Sequence, residues 1–280
     1  VLDWITDSPF APIVALCAGV AAACALAVHF TRLGMLGGVA APAVFALAYD
    51  LTYQKIPPFP PVGAANKVFW VGVFAAVVAL ALEAIPSVPA LAKAALAALL
   101  GVLWIGASQW ERADLEFGLM SGAVVAGGAL ALWVCQLQNL RGGGASSLSM
   151  AAALAVLLAP AALFGGSSTG VGLCLGSAVG LAVLSLPYLA PGRRLPQAAT
   201  LSIGAGLLGL VDAIALVSRK ADFFALALVA LAPLLGLWAV GLLPESLRRP
   251  WIVWFVSGLA TLAPLPLIVA LLFWRHESPL

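Results

Sequence analysis

Apolar runs of about 18–20 residues recur from one end of this chain to the other, separated by short polar breaks. A helix needs about 20 apolar residues to cross a bilayer, and lipid offers no partner for unpaired backbone groups. The chain is therefore confined to an all-α, polytopic membrane bundle. Composition agrees, with hydrophobic residues at 64% and charged residues at 9% of 280 positions, against about 45–50% and about 25% in soluble domains.

Ten spans are predicted: Ala11–Phe30, Leu33–Tyr53, Val68–Ile85, Leu91–Ser108, Gly118–Leu137, Leu148–Gly165, Gly170–Leu189, Ala198–Ser218, Phe223–Leu243 and Trp251–Trp274. The count falls to nine if Leu91–Ser108, weakened at its start by Lys93, lies along the interface. Residues 1–280 form one integral membrane domain, with possible halves at 1–140 and 145–280 about the run NLRGGGASS, which reads as a flexible linker by composition. Five spans on each side invite an inverted-repeat reading. The proline-rich segment after span two has no counterpart after span seven, so the repeat is unsupported by landmarks.

That segment, Gln54 to Lys67, carries Pro57, Pro58, Pro60 and Pro61 around Phe59. Proline fixes φ and removes a donor, so the stretch should be stiff and extended. It is expected to lie ordered against the bundle with Phe59 buried against protein or lipid headgroups, as a connection, a docking surface for a protein partner or a cap over a cavity.

A net charge of +2 in scattered pairs argues against nucleic acid. Membrane lipid is the expected partner. Cys17, Cys24, Cys135 and Cys174 all lie in apolar runs and read as buried small hydrophobes. No metal-ligand cluster, no phosphate-binding lysine loop and no histidine pair for haem is present, so no cofactor is expected. Gly204, Gly206 and Gly209 spell G-x-G-x-x-G inside a span, where helix packing explains them. Gly166, Ser168 and Gly170 spell G-x-S-x-G without the preceding strand a nucleophile elbow needs, and His29 and His276 stand at other places in the chain. No catalytic residue is assigned, and an enzyme is the least favoured class.

Gly172, Gly176 and Gly180 form a double G-x-x-x-G ridge, and Gly118, Gly122 and Ala126 share its spacing. Such ridges let helix backbones approach, within the bundle or against a partner. Ionisable residues inside spans are expensive and are functional candidates. Asp212 shares an arc with Ser202, Ala205, Gly206 and Gly209, and Arg219 is near enough to pair with it. Glu83 and Lys93 are expected to pair near one interface, while Asp50 and His29 sit near span ends. Asp212, Glu83 and Asp50 are the candidates for proton coupling or substrate contact. Trp70, Trp104, Trp110, Trp251, Trp254 and Trp274 read as interface anchors.

Basic residues divide almost evenly between the two sides, Arg32 and Arg194 among them. The acidic residues Asp3, Asp7, Glu111, Asp114 and Glu116 incline both termini away from the cytoplasm, and a bacterial inner membrane is the expected location. The leading function is a small transporter or permease, with proton coupling as an option. The alternative is a non-catalytic subunit that anchors or assembles a larger membrane complex.

Overall fold

The computed structural model describes residues 8–31, 36–85, 87–112, 114–190, 193 and 195–276. Asp3, Asp7, Arg32, Pro86, Arg194 and the side chain of His276 lie outside the described residues. Among those described there is no strand, and nine helices are long and apolar enough to cross a membrane. The protein is an integral membrane, multi-pass helical bundle.

The helices are α1 (Ala11–Thr31), α2 (Leu36–Tyr53), α3 (Ala64–Glu83), α4 (Ala90–Ile105), α5 (Leu115–Gly142), α6 (Gly144–Phe164), α7 (Ser168–Leu184), α8 (Gln197–Asp212), α9 (Phe223–Gly241), α10 (Pro250–Leu262) and α11 (Leu265–His276). The last two make up one apolar span interrupted at Ala263–Pro264. Pro264 and Pro266 account for the break, because proline removes a donor and clashes with the preceding turn. Pro42, Pro160 and Pro233 instead lie inside α2, α6 and α9.

α4 is short, at 16 residues. It packs against α3, α5 and α8, and a 3-10 turn over Gly106–Arg112 continues it. It is thus a member of the bundle rather than a helix lying outside it. α8 holds the central place, with α2, α3, α4, α5, α6 and α7 all in contact with it. Its flanks are almost wholly buried.

The Gly/Ser run at the midpoint is not a loose linker. α5 continues to Gly142 and α6 starts at Gly144, so Gly143 alone joins them, at φ 89°. A left-handed residue without a Cβ is what such a corner needs. The corner is also tied down. Asn139 donates to the Leu195 carbonyl at 2.7 Å and accepts from the Leu195 amide at 3.2 Å. Ser146 donates to the Gly143 carbonyl at 2.8 Å.

The glycine ridge of α7 faces α1 and α2. A Cβ on Gly172 would meet Thr52 and Ile13, one on Gly176 would meet Ala48 and Cys17, and one on Gly180 would run into Val44. Gly118 and Gly122 behave differently: both are exposed, with nothing near enough to touch an added Cβ. The equal spacing therefore marks a packed seam in α7 and an uncovered face in α5.

The proline-rich segment folds back along α3. Phe59 meets Trp70 edge-on with ring centroids 5.2 Å apart and approaches Phe74 at 6.3 Å. Yet Phe59 is 62% exposed, and Pro57 is the buried member of the group. The ring leans on the outer wall of α3 instead of entering the bundle. Pro58 and Pro60 are exposed and Pro61 is half-buried. Trp70 and Trp104 join this aromatic wall through Phe74, whereas Trp110, Trp251 and Trp274 are exposed as anchors would be.

Candidate functional site

α8 carries a polar group at each end of its length, about 22 Å apart at 1.5 Å per residue. At the C-terminal end, Asp212 is fully buried. Neither carboxyl oxygen has a hydrogen-bond partner among the described residues. The carboxyl fills a notch made by Gly101 of α4, where an added Cβ would collide with Oδ2. Gly209, one turn earlier, borders the same notch and lies against Val71 and Ile105. Gly206 receives the ring of Phe45. The small residues on this arc therefore admit close neighbours from α2, α3 and α4, and Asp212 is carried into their seam. Gly204 accommodates Leu132 on another side, so all three glycines of the G-x-G-x-x-G pattern serve packing.

Arg219 does not reach back to Asp212. It pairs with Asp114 at 3.7 Å, across the loop before α5. Between the two residues the helix widens to a π-turn over Ala213–Val217. Such turns insert an extra residue and occur often at functional sites. The Lys67 ammonium reaches the same α3–α4 seam and donates to the Trp104 carbonyl at 3.0 Å.

At the opposite end, Gln197 opens α8 after Pro196. Its amide N–H donates to Glu83 Oε1 at 3.3 Å, and its side-chain oxygen accepts from Lys93 Nζ at 3.1 Å. The expected direct Glu83–Lys93 pair is replaced by this relay. Lys93 is buried and Glu83 half-buried. Asp50 is half-buried near the end of α2 and belongs to neither ion pair found among the described residues. The three sequence candidates are thus not brought together.

One polar group escaped the sequence reading. Gln136, Gln138 and Asn139 are all buried near the end of α5. Gln138 donates to Ser146 at 3.3 Å, while Gln136 has no partner for either amide atom. The signal was present as three amides within four residues of one span. Nearby, Ser149 donates to the Trp254 carbonyl and Trp254 donates to Ser185, both at 2.8 Å. These bonds stitch α6, α7 and α10 where Gly258 gives way to Ser149.

A cavity of about 510 Å³ lies between α5, α6, α8 and α9. Ligand pockets commonly span about 300–1,000 Å³. Its walls are almost wholly apolar, with Thr200 and Cys135 as the polar exceptions. Asp212 projects from a different face of α8. Ser168 is exposed at the start of α7 and His29 is exposed on α1, where its ring meets Phe30. Among the described residues no group of His, Cys, Asp and Glu is arranged to hold a metal.

No protein-family model matches the chain, and no curated protein or solved structure matches it significantly. Its chemistry must be argued from its own side chains.

Proposed function

We propose that this chain is a small membrane transporter, coupled to protons through Asp212. We place it in a bacterial inner membrane with both termini on the non-cytoplasmic side. The observation that carries the reading is the unpartnered Asp212 carboxyl in the middle of the α3–α4–α8 seam. A buried carboxylate needs donors or a counter-ion. Neither Asp212 oxygen finds one among the described residues, so loss of the proton favours a state in which α4 and α8 part and admit water or a cation. Return of the proton favours closure. A proton that binds the two states differently shifts their populations, which is the requirement for coupling. The π-turn after Asp212 provides local give at the point where α8 would move.

The test is uptake of apolar and amphipathic solutes into proteoliposomes under an imposed pH gradient. Asp212→Asn keeps the shape and removes the exchangeable proton. The variant should fold and lose gradient-driven uptake. Undiminished uptake would remove Asp212 from the mechanism.

A second reading, a non-catalytic subunit of a membrane complex, is favoured by the uncovered Gly118 and Gly122 face of α5. Small residues on a lipid-facing helix admit a partner helix closely. Purification in mild detergent discriminates: a stoichiometric partner supports the subunit, and a lone, transport-competent chain supports the transporter.

A further inference from the structure

The large cavity adjoins a shallower recess at the start of α9. Phe223, the first residue of α9, lines both it and that recess, formed with Asp222, Phe224 and Arg275. Leu226 and Val211 connect it as well to a narrow cleft that ends at Asp222. A slot therefore runs from the start of α9 into the apolar interior. Along α5 its wall extends from Ala123 to Cys135, about 18 Å of helix. One leaflet of a bilayer core is about 15 Å deep. The slot is open sideways, because Ala123, Ala126, Ala227 and Leu231 line it and are exposed between α5 and α9.

Its mouth carries Arg275 beside Asp222. Arg275 pairs with Asp222 at 3.2 Å and lies over the Phe224 ring at 4.4 Å from its centroid. Asp222 spends its other oxygen on the Ala225 amide at 2.9 Å, capping α9. Lys220 is exposed two residues before, and it belongs to neither ion pair found among the described residues. Arg219 is held nearby in sequence by Asp114. Both Asp222 oxygens are engaged, while Arg275 is exposed and the Lys220 ammonium lies beside Gly166 at the α6–α7 corner.

We propose that this slot is a binding site for one acyl chain of an anionic phospholipid from the surrounding membrane, with its phosphate held by Arg275 and Lys220. The depth fits one leaflet, the walls fit hydrocarbon, the lateral opening faces the place from which lipid enters, and the charge at the mouth matches the headgroup. The site lies on a different face of α8 from Asp212 and does not depend on proton coupling.

The experiment uses the full chain, purified in mild detergent, stripped of native lipid, and titrated with dioleoyl phosphatidylglycerol or dioleoyl phosphatidylcholine. Native mass spectrometry reads how many lipids remain bound. One phosphatidylglycerol should be retained in preference to phosphatidylcholine. Ala227→Trp, at an exposed wall position, should fill the slot and abolish retention of both, with helical content and a monodisperse peak preserved. The Lys220→Gln, Arg275→Gln pair should keep a bound chain but lower the preference for phosphatidylglycerol by about tenfold, the loss of roughly one charge-assisted contact. Equal shedding of lipid by wild type and Ala227→Trp would mean loose boundary lipid only and overturn the proposal. So would equal retention of the two headgroups by the wild type, or a protein chain cross-linked at position 227 in place of lipid. Should Ala227→Trp misfold, Leu231→Trp at the same opening reads the same outcome.

Discussion

The Asp212 carboxyl occupies the space that a side chain on Gly101 would need. α4 and α8 can close only because one of them has nothing there. Gly101→Ala should therefore destabilise the protein by about 1–3 kcal/mol through overpacking. The double variant Gly101→Ala, Asp212→Ala should recover part of that loss, since the two changes share one contact. Thermal unfolding in detergent measures the cycle. Additive losses would mean that the carboxyl and the glycine do not constrain each other.

The α7 seam makes a separate prediction. Gly176→Leu should abolish a monodisperse peak in gel filtration, because the side chain would enter the space of Ala48, Cys17 and Ile13. Gly122→Leu on the uncovered face of α5 should leave the peak intact in the isolated chain. Equal tolerance at both positions would contradict the packing difference.

Asn139→Leu should cost about 1–3 kcal/mol by leaving the buried Leu195 amide and carbonyl unpaired. Limited proteolysis offers a second readout, since Leu195 would lose its attachment to α5. Gln197→Leu should be destabilising as well, by about 1.5–3 kcal/mol, because it strips the buried Lys93 of an acceptor. The Glu83 contact to the backbone amide survives that change, so Lys93→Met in the same background should restore stability.

Asp114 caps α5 by accepting from the Phe117 amide at 2.8 Å. That bond, aided by the nearby Arg219, holds its carboxyl below the ordinary value of 3.8. A lowered folded-state value means that the cap's contribution is present above pH 3.8 and is lost as pH falls through the lower, folded-state value. Thermal stability of wild type should fall over that acidic window more than that of Asp114→Asn. Parallel profiles would show that the cap does not respond to the proton.

The bundle was legible because apolar run length is a strong, local signal. Eight of the ten expected spans needed only small boundary changes, such as α3 starting at Ala64 rather than Val68. What stayed hidden depended on partners distant in sequence. Arg219 stands two turns after Asp212, yet a π-turn and the exposed Asp114 take it elsewhere. Glu83 and Lys93 pointed to each other by charge, while the uncharged Gln197 that joins them gave no electrostatic hint. The run NLRGGGASS looked flexible because composition does not reveal that Asn139 has both of its amide atoms engaged. Phe59 looked buried because it is large and apolar, but in lipid an exposed ring is not penalised as it is in water.

Gly143 has a mechanical consequence. A one-residue corner between two long helices, anchored at Asn139 and Ser146, is a rigid elbow and not a tether. The two halves of the chain cannot swing freely about their covalent midpoint. Any rocking motion must pivot elsewhere, at the π-turn beyond Asp212 or the Ala263–Pro264 interruption. The first of these lies beside the buried acid, so the one widened turn of this span begins at the residue after Asp212.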